Sequence, residues 1–110
     1  MFEVCSINKS ENSKHYYRRI ERILYYVFNN GKKRCRLCSC KAEIFECDGI
    51  LALVSYGTPI AVFAPEYESL YDCLRVVYGY TATSAQHISK FQKWLAENNY
   101  PVKYAVRFTN

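Results

Sequence analysis

Three cysteines carry the sharpest chemical signal in the chain. They form Cys35-x-x-Cys38-x-Cys40, set in the polar run Gly-Lys-Lys-Arg-Cys-Arg-Leu-Cys-Ser-Cys. Two thiolates at this spacing can turn onto one cation, as in structural zinc knuckles. Lys33, Arg34 and Arg36 beside them would lower the thiol pKa values and favour the thiolate. A fourth ligand must come from elsewhere. If 41–47 is extended, Cys47 lies about 23 Å from Cys40 at roughly 3.3 Å per residue. Thiolates on one zinc sit only about 4 Å apart, which leaves Cys47 out. Cys5 is the first choice, ahead of His15 and Cys73. The expectation is one closed structural zinc held by Cys35, Cys38, Cys40 and Cys5. A thioredoxin-type dithiol fits less well, because that motif opens a helix and this one follows a helix stop and precedes a strand.

No catalytic set accompanies the cysteines. His87 could act as a base, but the sequence places no Ser, Cys or carboxylate beside it, and a half-buried structural role is the plainer reading. With four glycines there is no phosphate-cradling loop. The reading is that the chain is not an enzyme.

Charge points instead to a partner. The formal balance is +5, unevenly spread. Between Lys14 and Lys41 nine bases face one acid, Glu21, for +8, whereas 42–78 has six acids against Arg75, for −5. Lys14, Arg18, Arg19, Arg22, Lys32, Lys33, Arg34 and Arg36 are the candidate partner-binding residues. Such a segment can engage nucleic acid or an acidic protein; the bland alternative is a solvated helix face plus a charged loop.

The elements that must hold these residues are legible as one domain, 1–110. The run Ile50–Ala64 is apolar and uncharged, and reads as a central strand buried on both faces, bent at Gly57-Thr58-Pro59. Asp48-Gly49 is a hairpin turn pair joining it to a strand over 41–47. A third strand over 70–78 completes a meander spanning 41–78. Before the meander, 12–30 forms a basic amphipathic helix with Tyr17, Ile20, Leu24 and Phe28 inward and Arg18 and Arg22 outward. A cysteine-rich basic loop, 31–40, follows it. After the meander, Thr83 and Gln86 make a capping box for a helix over 83–98, and alternation over 102–108 gives a last antiparallel strand. The fold class expected is α+β, an antiparallel sheet of about four strands packed against two helices. No apolar run is long enough to span a membrane, and the N-terminus lacks a signal-peptide pattern. The expected location is the cytoplasm, where cysteines stay reduced.

Two stretches, Ser55-Tyr56-Gly57-Thr58-Pro59-Ile60-Ala61 and Gly79–Phe91 with its Thr-Ala-Thr-Ser-Ala-Gln-His-Ile-Ser-Lys-Phe, occur together. The combination resembles a group of small uncharacterised domains of phages and mobile elements. Thr81, Thr83, His87 and Phe91 match its repeated positions, and the basic helix and cysteine loop depart from it. The resemblance implies no activity. A phage origin implies by analogy of kind a small inhibitor that binds a host defence protein, a CRISPR effector nuclease above all, in the host cytoplasm. The alternative is a zinc-stabilised nucleic-acid-binding module using 14–41.

Overall fold

The computed structural model describes residues 4–8, 14–37 and 41–109. It is α+β, but the sheet has seven strands rather than about four, and it is mixed rather than antiparallel. In chain order the elements are β1 (Val4–Asn8), α1 (Lys14–Asn30), β2 (Lys32–Arg36), β3 (Ala42–Cys47), β4 (Ile50–Ser55), β5 (Thr58–Ala64), β6 (Ser69–Asp72), α2 (Leu74–Val77), α3 (Ala82–Glu97) and β7 (Tyr104–Thr109). Across the sheet they run β1-β7-β6-β5-β4-β3-β2. The pairs from β2 to β6 are antiparallel, and β7 runs parallel to both β6 and β1.

Each departure from the expected fold has a local cause. The run 50–64 is two strands, not one bent strand. Tyr56 and Gly57 both take left-handed φ, 51° and 81°, and turn the chain back in a two-residue hairpin. Asp48 and Gly49 do the same at φ 52° and 82°, as their sequence announces. The basic stretch 32–36 is a strand because it lies at a sheet edge, where lysine and arginine keep their heads in water. The strand expected over 70–78 stops at Asp72, whose Oδ1 accepts the Leu74 N–H at 3.0 Å and turns the chain into α2. The second long helix starts earlier than the Thr83 cap: Thr81 is the N-cap, its Oγ1 accepting from Ser84 N at 3.1 Å. The last strand is parallel because α2 and α3 form a crossover that brings the chain back in the direction of β6.

The sheet is covered on both sides. On one side, Tyr17, Ile20, Leu24 and Val27 of α1 pack on Ala52, Val62, Ala64, Tyr71 and Phe108. Phe28 is only half-buried, and Val27 takes the inward place expected for it. On the other side, Ile88, Phe91 and Leu95 of α3 pack on Leu51, Leu53, Ile60 and Phe63. Burial on both faces explains why β4 and β5 read as an unbroken apolar run.

α1 spans the sheet from one edge to the other. It leaves β1 and delivers β2, which are six strand spacings apart, about 29 Å at roughly 4.8 Å each. Its 17 residues measure about 25 Å at 1.5 Å per residue, a close match. Gly31 makes the corner: a Cβ there would lie 2.4 Å from the Val27 carbonyl oxygen and 2.7 Å from that of Glu46.

Candidate functional site

The expected zinc ligands are not gathered by the described structure. Cys38 and Cys40 lie outside the described residues. Cys35 is on β2 and Cys5 on β1, at opposite edges of the sheet. The pairing of Cys5 with Cys35 on one ion is therefore corrected: a zinc ion reaches ligands about 2.3 Å away, not the width of seven strands. Cys73 is buried beneath α1 on the opposite side from Cys35. Among the described residues no group of three or more His, Cys, Asp and Glu could hold a metal. The electrostatic expectation also changes. Cys35 is half-buried against the α3-side core, and that burial pushes its thiol pKa up, with Arg34 opposing only in part.

The basic segment divides into two regions with different fates. On β2, Lys33 pairs with Glu43 at 2.7 Å and Arg34 with Glu46 at 3.1 Å, both across to β3. The Arg34 guanidinium also lies over Trp94 and Tyr100, at 5.3 and 5.5 Å from the ring centroids, and donates to the Tyr100 hydroxyl. Arg34 thus fastens the edge strand to the end of α3, and its charge serves the fold. Lys32 and Arg36 remain exposed.

On α1 the helical period separates core from surface. Tyr17, Ile20, Leu24 and Val27 recur three or four apart and face the sheet. His15, Arg18, Arg19, Arg22, Tyr25 and Tyr26 face solvent, and Lys14 is half-buried. Glu21 turns away from this face to accept the Tyr17 hydroxyl proton at 3.0 Å. Arg19 lies over the Tyr16 ring at 5.4 Å. Among the described residues, Arg18, Arg19 and Arg22 form no ion pair. The first turn of α1 holds no acid, and Lys14 and His15 sit at the positive end of the helix dipole. That placement is unfavourable for the isolated helix and favourable for an incoming anion.

His87 has a partner that the sequence does not announce. Its Nδ1 is 2.7 Å from Ser55 Oγ, and Ser55 Oγ is 3.2 Å from Ser84 Oγ. The Tyr56 ring lies 5.6 Å from the imidazole. Burial, and secondarily Lys90, pushes the His87 pKa down and so favours the neutral ring. Ser55, Ser84 and His87 are all buried, with Ser55 at 0% exposure. The cluster works as a polar clasp between the end of β4 and the start of α3. The two stretches singled out in the sequence, 55–61 and 79–91, meet at this clasp. Their co-occurrence is the one signal from which the Ser55–His87 contact could have been guessed.

The chain belongs to a family of unknown function, DUF8033, whose model matches residues 27–106. The match takes in the sheet from β2 to β6, the first half of β7, and the clasp. It starts at Val27, so the arginines of α1 lie outside it. Neither the curated proteins nor the solved structures contain a match to the chain. No helix among the described residues is long and apolar enough to cross a membrane.

Proposed function

We propose that the protein is a binding protein rather than an enzyme, and that the outer face of α1 docks on the phosphates of a nucleic acid. The observation that carries this reading is the contrast in how the two basic regions use their charge. Lys33 and Arg34 of β2 are consumed in ion pairs. Arg18, Arg19 and Arg22 hold no carboxylate among the described residues and line one helix face beside Tyr25 and Tyr26. Arginine forks match phosphate oxygens, and aromatic rings among them can stack on exposed bases.

The inhibitor expectation uses the same arginines against an acidic surface of a host nuclease, and one experiment separates the two. Fluorescence anisotropy with labelled duplex DNA and single-stranded RNA, over a salt series, reads the electrostatic contribution. Three phosphate contacts predict that log K falls against log salt with a slope of about −2.7 on duplex. Each Arg→Ala change at 18, 19 or 22 should reduce that slope by about one. No salt-sensitive binding to either probe at low salt would overturn the nucleic-acid reading. Retention of a host nuclease by the immobilised chain, lost in Arg18→Glu/Arg22→Glu, would put the inhibitor in its place.

A further inference from the structure

β2 is the outermost strand on its side of the sheet and, among the described residues, pairs with β3 alone. An outermost strand presents a row of backbone donors and acceptors to whatever lies beside it. We propose that the outer edge of β2 receives an extended acidic segment of a partner protein, which joins the sheet as a further strand.

Charge selects the occupant. β2 carries four bases, Lys32, Lys33, Arg34 and Arg36, and β3 offers them two acids, Glu43 and Glu46. Lys33 takes Glu43 and Arg34 takes Glu46. Lys32 and Arg36 are exposed and lie in register with Glu46 and Glu43, yet form no ion pair among the described residues. The next three positions in the chain, Cys38, Ser39 and Cys40, bring no carboxylate. Residues opposite one another share a face of the sheet, so Lys32 goes with Glu46 and Ile44 on the α3 side, and Arg36 with Glu43 and Phe45 on the α1 side. The register shift between Lys33 and Cys35 produces this split. β3 shows the complementary pattern, Glu-x-x-Glu, with one acid to each face. A strand of the same pattern on the outer side meets Lys32 and Arg36 with one acid each. A second copy of β2 would set bases against bases, and like charges placed opposite one another destabilise a strand pair.

The edge is fixed before a partner arrives. Arg34 lies over Trp94 and Tyr100 and donates to the Tyr100 hydroxyl, and Cys35 packs on the α3-side core. A partner strand therefore does not bear the cost of ordering β2. Backbone pairing supplies affinity in such an arrangement, and the two cations select the sequence. The site uses none of the α1 arginines and does not depend on their binding phosphate.

The test uses the full chain, titrated by ¹H–¹⁵N NMR with the peptide acetyl-Thr-Thr-Glu-Val-Thr-Glu-Thr-Thr-amide. Saturable shifts centred on residues 32–36 are expected. Lysine in place of both glutamates should weaken binding about tenfold, because like charges then face one another. Proline in place of the central Val-Thr pair keeps both acids, removes two backbone donors, and should abolish binding. Lys32→Glu/Arg36→Glu alters two exposed positions and should reverse the preference towards the lysine peptide. Arg18→Ala/Arg22→Ala should leave binding unchanged, which separates this edge from the α1 face. The proposal is overturned if the glutamate peptide does not bind saturably, if the lysine or proline peptide binds as tightly, if the preference survives the charge reversal, or if binding is lost with the α1 arginines. Shifts at 32–36 on dilution of the chain alone would make a second copy the occupant and overturn it as well.

Discussion

The two sides of the sheet handle polarity in opposite ways. Under α1 the core is closed by aromatic edges. Tyr16 and Tyr17 meet Phe108 at 5.5 and 5.1 Å, and Tyr16 meets Tyr71 at 6.3 Å. Burial there pushes the Tyr16 hydroxyl pKa up to about 12. The arginines of α1 lie outside this layer. Under α3 the polar groups lie within: the Ser55–Ser84–His87 clasp is buried, and Asp72 sits at 9% exposure between Arg75 and Arg107. The difference separates two kinds of residue. The outer face of α1 can change without disturbing the fold, whereas the polar groups under α3 are part of what holds that helix in place.

The largest test of this contrast compares the two cores. Phe91→Ala should cost ~3–5 kcal/mol and Leu24→Ala ~2–5 kcal/mol, since both side chains are fully buried. Urea unfolding followed by circular dichroism measures both. A Leu24→Ala loss well under 1 kcal/mol would show α1 to be a loosely held strap and break the symmetry of the two layers.

Next in size is the clasp. Ser55→Ala leaves the His87 Nδ1 buried without its partner, and the expected loss is ~1–3 kcal/mol. In a His87→Phe background the same change should cost much less, and a double-mutant cycle reports the difference. If the two losses simply add, the 2.7 Å contact contributes nothing to stability.

A smaller effect is read from pH. The folded state holds the His87 pKa below its ordinary 6.5. As pH falls past 6.5 the unfolded chain takes up this proton before the folded one does. Stability from the neutral imidazole is therefore present above that point and is lost progressively towards the lowered folded value. Urea midpoints between pH 7.5 and 5 should decline more steeply in the wild type than in His87→Gln. Equal slopes would mean that the ring is not held neutral.

The smallest expected effect concerns the sheet edges. Cys5 is exposed, and Cys5→Ser should change stability by less than about 0.5 kcal/mol. Elemental analysis of both proteins, purified without added metal, should give the same zinc content. Loss of zinc with Cys5→Ser would restore the ligand that the strand order removes.

What the sequence disclosed was local in origin. The face of α1, the Asp48-Gly49 turn and the apolar core of the meander follow from spacings of two to four residues, and all are present. The strand count was missed where pattern and position diverge. Lys32–Arg36 is too polar to read as a strand, and only its place at an edge makes it one. Thr58–Ala64 was hidden because a non-glycine, Tyr56, takes the first left-handed place in the turn. The parallel setting of β7 and the meeting of Ser55 with His87 depend on pairings between distant segments, for which no short window carries a signal. The clasp left a trace in the co-occurrence of its two stretches, and the Asp72–Arg75–Arg107 group left none.

The place of β7 between β1 and β6 also sets an order in time. β1 is made long before β7, yet among the described residues it pairs with β7 alone, and Val4 finds Ala105 across 101 positions. Closing a loop of that length costs roughly 4 kcal/mol of chain entropy before any pairing repays it. The meander β2–β6 closes through near neighbours and can assemble first. Until β7 arrives, β6 presents an open backbone edge and β1 has nothing to join. A growing chain therefore passes through a stage with an unguarded strand, and pulse-labelled hydrogen exchange should find the amides of β3–β5 protected before those of β1 and β7.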